Sequence, residues 1–209
     1  MCGPAKPVVL TCAMRPATAL VPDGPQNVLD AVAVARHPGA KGVVAVCAGS
    51  VHTAWDVQKV HPYQVDAFSS GDAGPLGYVE EGSLRLLRNW PEADASRAPD
   101  ATKIMAALDD ADWPHVEIVM SHAGARGALV QALMQQGVRG LVVATTGNGT
   151  VHQALEAALL KAQAAGVSVV RATRCPNGRV LPKPGDLIPD SQGLSPVKAR
   201  IDLMLRLLG

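Results

Sequence analysis

An α/β fold is predicted for this chain of 209 residues by three features. Short apolar runs recur along it, stretches with apolar residues at helical spacing stand between several of them, and Pro, Gly, Asp and Ser mark the junctions. Hydrophobic residues make up 48% of the chain, ample for a core at this length, and disorder is excluded as the main description.

The run from Val8 to Ala13 reads as a buried strand that ends in the turn-rich segment Arg15 to Pro25. Loops at strand ends are where α/β proteins keep their chemistry. Pro25, after Asp23-Gly24, suits the first turn of a helix whose Val28, Val32 and Ala35 recur at helical spacing, with a stop near His37-Pro38-Gly39. Gly42 to Cys47 is a second buried strand. From Ala48 to Gly77 the sequence reads as a long irregular loop, a length that usually carries function. Between Glu80 and Pro114 the pattern weakens, with a short helix expected at Thr102 to Leu108; this segment reads as an interdomain connection.

Periodicity then returns. His115 to Met120 is a strand, Ala128 to Gln136 a helix closed by Gly137, and Gly140 to Thr145 another buried strand. A helix from Thr150 to Ala165 follows, its apolar face formed by Val151, Leu155, Ala158, Leu159 and Ala162 and its stop by Gly166. Val167 to Ala172 is the next strand. Ser195-Pro196 opens a final helix from Val197 to Leu208, buried through Ile201, Met204, Leu205 and Leu208. The βαβ rhythm of this half favours a parallel sheet.

Composition narrows the function. Nineteen Lys and Arg against eighteen Asp and Glu give a net charge of +1, which leaves no excess to hold a nucleic acid or an anionic bilayer. Aromatic residues at 3% remove the stacking platforms of single-strand binders. No apolar run is long enough to span a membrane, and no signal segment is legible, so a cytoplasmic protein is expected. Cys2, Cys12, Cys47 and Cys175 are too scattered for a disulfide framework and read as reduced thiols, Cys12 as a small buried hydrophobe. No two histidines stand four residues apart with a glutamate beside the first, as a zinc-binding helix requires, and no metal is expected.

Two segments carry candidate chemistry. Thr145-Thr146-Gly147-Asn148-Gly149-Thr150 lies between a strand and a helix, where backbone N–H groups can meet an anion; two glycines making a tight turn explain the same letters, and the residues leave both readings open. Phosphate-loop and dinucleotide fingerprints are absent. Lys59 follows a buried strand, with Asp56 three residues before it. A partly desolvated lysine can act as a general base, although loop lysines are usually just solvated.

Taken in order, KPVVLTCAMRPATALVPDGPQN, VHTAWDVQKV, GPLGYVEEG and GNGTVHQAL resemble the L-asparaginase/glutaminase family of bacterial amidohydrolases, nearly end to end. The resemblance implies two three-layer αβα units: a remnant of the N-terminal domain over residues 1–88, a linker over 89–114, and the C-terminal domain over 115–209. It implies hydrolysis of asparagine, often of glutamine too, by a threonine hydroxyl that forms an acyl-enzyme, aided by a second threonine, an aspartate and a lysine. Neither a metal nor an organic cofactor is implied. Lys59 matches the family lysine. Ala13, Thr18 and Thr150 match substrate-side positions, and Asp23, Gly147, Asn148 and Gly149 match turns near the site. A small amino-acid substrate and a homo-oligomer, a tetramer by family pattern, follow as expected partners.

Departures from the family pattern qualify this. The G-T-G-G-T and T-D-T segments that hold the nucleophile and its partners do not occur in these 209 residues, so roughly a hundred residues of the pattern are expected to be missing, on the scale of domain sizes. The N-terminal sheet is then expected to be incomplete, with an open edge and exposed apolar surface at Val8 to Ala13. A complementing N-terminal segment or self-association would cover it; without either, a poorly folded N-terminal half is expected. Cys12 stands where glycine is common, Trp55 where arginine is, and Thr150 where periplasmic-type members have asparagine. A chain that kept the fold but binds amino acids without turnover is the competing expectation.

Overall fold

The computed structural model describes residues 4, 6–92, 101–109 and 113–208. The chain divides into two compact units, Met1–Ala98 and Pro99–Gly209. Cys2 and parts of the expected 89–114 linker, residues 93–100 and 110–112, lie outside the described residues.

In the first unit, strand β1 (Val8–Thr11) runs parallel to β2 (Val43–Cys47), with helix α1 (Gly24–Arg36) between them in sequence. β2 turns back into β3 (Ser50–Thr53), and β6 (Gly77–Glu80) and β7 (Ser83–Leu86) complete a mixed sheet of order β1-β2-β3-β6-β7. A separate ribbon pairs β4 (Gln58–Lys59) with β5 (Phe68–Ser69).

The segment expected to be one long irregular loop, Ala48 to Gly77, is mostly irregular but contains β3 and the β4–β5 ribbon, and the weak pattern after Glu80 contains β7. β3 and β7 escape a sequence reading because their hairpins turn on Ala48-Gly49 and Glu81-Gly82. All four residues adopt positive φ, between 48° and 73°, as two-residue turns of the primed type require. Alanine and glutamate at such positions are uncommon and do not advertise a turn.

Helix α1 covers one face of the sheet, and Ala31 and Val34 pack with Val44, Val46, Val51 and Leu76. The expected apolar stripe is corrected here: Val28, Val32 and Ala35 face outward, while the buried residues of α1 are Asn27, Asp30, Ala31 and Val34. The polar groups turn inward because they fasten neighbouring backbone. β1 is likewise no buried strand. It stands at the end of the sheet order, with Val8 41% and Leu10 57% exposed, while Val9 packs into the core beneath α1.

The second unit follows its predicted rhythm. Helix α2 (Ala101–Asp109) precedes β8 (Val116–Met120), α3 (Ala128–Gln135), β9 (Gly140–Thr145), α4 (Gln153–Ala164), β10 (Ser168–Thr173) and α5 (Pro196–Arg206). The strands form a parallel sheet of order β10-β9-β8. Side chains alternate across β9. Leu141 and Val143 join Val130 of α3 and Leu155, Ala158, Leu159 and Ala162 of α4 in one core, while α5 packs against all three strands, with Leu203 lying over Gly140 on the opposite face.

Two helix details differ from expectation. α4 begins at Gln153, with the His152 side chain accepting the Ala154 N–H, rather than at Thr150. In α5, Ile201 is 39% exposed while Ala199, Asp202 and Leu203 are buried, because Asp202 pairs with Arg206 one turn on. No helix among the described residues is long and apolar enough to cross a membrane.

Candidate functional site

The parallel strands β1 and β2 end side by side, and the chain leaving β1 is fastened there by residues of α1. Asp23 accepts the Met14 N–H at 2.9 Å through Oδ2 and the Arg15 N–H at 2.9 Å through Oδ1. Asn27, 2% exposed, donates through Nδ2 to the Cys12 carbonyl at 2.8 Å and to Asp23 Oδ2 at 3.2 Å, and its Oδ1 accepts the Ala48 N–H at 2.9 Å. The Thr11 hydroxyl donates to the Val46 carbonyl at 2.8 Å. Backbone donors hold the Asp23 carboxyl below its usual range, that of Met14 first and then that of Arg15, against a burial penalty smaller than either, while its own backbone N–H and the Asn27 side chain add lesser hydrogen bonds. An anchored turn at the C-terminal ends of parallel strands is where ligands of α/β proteins sit.

Ala13 lies at the centre of this turn, its backbone set by neighbours that are tied on both sides. Thr18 is exposed in the loop beyond. Asn27, the residue that ties β1, the loop and the β2–β3 turn together, was not singled out in the sequence; an asparagine in the first turn of a helix opening with Pro25 is its only signal.

Lys59 lies on the β4–β5 ribbon rather than in a loop. It is exposed, with Nζ 5.9 Å from the centroid of the Phe68 ring, within the range of a cation–π contact. Asp56 turns elsewhere: it accepts the Thr53 hydroxyl at 2.8 Å and pairs with Arg88 at 3.1 Å. A cleft of about 1150 Å³ runs along α1, lined in part by Gln26, Asp30, His37 and Glu81. Asp23 and Asn27 reach its wall, but Ala13, Thr18 and Lys59 do not, so its size does not make it the reaction site.

In the second unit, Gly147 to Gly149 form a closed turn. Thr146 and Thr150 exchange backbone hydrogen bonds at 3.2 and 3.0 Å, which uses N–H groups that an anion would need. The Asn148 Oδ1 accepts the Leu181 N–H at 2.7 Å, and the Gly147 carbonyl accepts the Thr173 hydroxyl at 2.8 Å. This favours the tight-turn reading of the segment over an anion cradle. No cluster of three or more His, Cys, Asp or Glu suited to a metal occurs among the described residues.

Sequence comparison follows this division. Residues 1–92 match the family described as "Asparaginase, N-terminal" and residues 115–208 match "Glutaminase/Asparaginase C-terminal domain". L-asparaginase 2 of Escherichia coli is 33% identical over 97% of this chain and 59% of its own length. L-asparaginase 2 of Bacillus subtilis is 35% identical over 97% of this chain and 54% of its own length. The chain thus spans little more than half the length of these relatives. The crystal structure of a probable cytoplasmic L-asparaginase from Campylobacter jejuni superposes with a TM-score of 0.87 at 36% identity, covering 97% of this chain and 65% of that one.

Proposed function

Because this chain belongs to the L-asparaginase/glutaminase family, we propose that it forms part of an amidohydrolase that converts asparagine and water to aspartate and ammonia. The observation that carries the proposal is the anchored turn after β1, in which Asp23 and Asn27 fix the backbone on both sides of Ala13. A backbone held in this way keeps its geometry when a polar ligand arrives, and preorganisation is what amide hydrolysis needs.

In this reading Ala13 and Thr18 line the substrate pocket, and Thr150 offers a hydroxyl to the substrate of a neighbouring subunit. Lys59 relays the proton that the nucleophilic hydroxyl gives up. The hydroxyl adds to the side-chain amide carbon, the tetrahedral intermediate expels ammonia, and water then cleaves the ester to release aspartate. The threonines and aspartate of that step belong to G-T-G-G-T and T-D-T segments that are not among these 209 residues. Activity is therefore proposed for this chain together with a polypeptide stretch that carries them, in a homo-oligomer and in the cytoplasm.

Co-expression with an asparaginase N-terminal segment containing both motifs, followed by an assay of ammonia release from asparagine and from glutamine, tests the proposal. Release that needs both polypeptides supports it. The competing reading is an amino-acid binder that keeps the fold without turnover. Calorimetry with aspartate separates the two: saturable binding by the complemented assembly without ammonia release selects the binder.

A further inference from the structure

Cys12 and Cys47 bring their sulfurs to 2.9 Å, though 35 residues separate them in the chain. The parallel register explains the meeting. Thr11 is paired with Val46, so one step further along both strands sets Cys12 beside Cys47, and adjacent strands lie about 4.8 Å apart. That spacing falls within the Cα window in which two cysteines can be bridged. Both are free cysteines, Cys47 buried and Cys12 half-buried.

We propose that Cys12 and Cys47 form a redox-active dithiol that closes to an intramolecular disulfide by exchange with a low-molecular-weight disulfide of the glutathione type. A metal site explains the pair less well. Two thiolates on a tetrahedral zinc, each about 2.3 Å from the metal, stand about 3.8 Å apart, wider than the separation here. The cluster of ligands such a site needs is also missing among the described residues.

The exchange follows from exposure. The Cys12 sulfur, the more accessible of the two, attacks one sulfur of the small disulfide as a thiolate and expels one glutathione thiolate. Cys47 then loses its proton and attacks Cys12 Sγ in the mixed disulfide. The second glutathione thiolate leaves, and the two protons end on the two released glutathiones. The protein pair is oxidised by two electrons and the small disulfide is reduced by two. Burial, and then the hydrogen bond with Cys12, push the Cys47 thiol up to about 12, so it waits as a thiol until its partner has been activated. The Cys12 carbonyl is the acceptor of Asn27, so the new bond would pin the base of the turn that carries Ala13 to β2. The inference rests on the two sulfurs and the strand register, and stands whether or not the chain turns over an amide.

The full chain carrying C2S and C175S retains only this pair. It is equilibrated with mixtures of oxidised and reduced glutathione, free thiols are blocked with iodoacetamide, and the intact mass is read. The expected result is loss of two hydrogens without a glutathione adduct or alkylation, reversed by excess reduced glutathione. Complete alkylation in oxidised glutathione, or an adduct that persists, overturns the proposal. Independently of that variant's folding, the unsubstituted chain is treated in the same way, quenched in acid and digested with pepsin. Peptides joined through Cys12 and Cys47 support the assignment, and bridges only through Cys2 or Cys175 contradict it. C47S should trap glutathione on Cys12, a state the paired protein passes through only transiently.

Discussion

The Asp23 carboxylate takes the backbone N–H of Met14 at 2.9 Å, across a loop whose other end Asp23 itself begins to close into α1. Its second oxygen takes the N–H of Arg15. The turn that follows β1 is therefore held by one side chain at the foot of a helix rather than by a strand partner. Asp23→Ala should cost about 1.5 kcal/mol, the lower end for hydrogen bonds to a charged group because the turn is partly exposed, read as a lower urea midpoint. Asp23→Asn, which keeps one acceptor oxygen, should cost less.

The same contacts set an acid limit. The Asp23 pKa is lowered from 3.8 in the fold, so the unfolded chain binds the proton first as pH falls. The stabilisation is fully present above the unfolded value of 3.8 and is lost as pH drops from there through the folded value. Urea titrations across that window should show a steeper loss for the parent than for Asp23→Ala. Parallel slopes would remove Asp23 from the account.

His52 gives a second pH dependence, nearer neutrality. It is 3% exposed, its Nδ1 lies 2.9 Å from the Ser70 hydroxyl, and its Nε2 has no hydrogen-bond partner among the described residues. Burial lowers its pKa from 6.5, the Arg88 cation acts the same way, and Asp56 opposes them. The unfolded chain then takes the proton first as pH falls below 6.5, so stability is full above that value and declines below it. His52→Leu should flatten the urea midpoint between neutrality and about pH 5, whatever its effect on stability at neutral pH.

Gly149 and Gly147 separate backbone conformation from packing in the turn after β9. Both have positive φ, 81° and 47°, which costs an alanine about 1–2 kcal/mol. A Cβ at Gly149 would also stand 3.0 Å from Val180 Cγ1 and 3.3 Å from Arg171 Cδ, whereas one at Gly147 meets nothing within 4 Å. Gly149→Ala should therefore lower the melting temperature more than Gly147→Ala. Equal losses would mean that Val180 and the Arg171 stem yield without cost.

The C-terminal unit was legible because every strand is flanked by helices with a single apolar face, and Leu155, Ala158, Leu159 and Ala162 lie inward as their spacing requires. The N-terminal unit was less so. Val28 and Val32 have the spacing of a core face yet point outward, since Asn27 and Asp30 occupy the inner positions; periodicity counts apolar residues and does not see that a buried asparagine can serve three backbone segments. β3 and β7 are each four residues long and turn on uncommon residues. Of the site, the loop after β1 and Asp23 could be found from the letters, whereas the Cys12–Cys47 contact depends on strand register, which only the folded chain fixes.

Among the described residues Lys59 Nζ lies 5.9 Å from the centroid of the Phe68 ring, and in the proposed reaction this side chain relays the proton of the nucleophilic hydroxyl. The decisive measurement is ammonia release from asparagine by this chain combined with a polypeptide bearing the G-T-G-G-T and T-D-T motifs, compared with the same assembly carrying Lys59→Met. The account predicts turnover by the combined assembly and a fall of at least about a hundredfold in kcat for the variant, the lower range for loss of a general base, with aspartate binding retained. Turnover undiminished by Lys59→Met would contradict it.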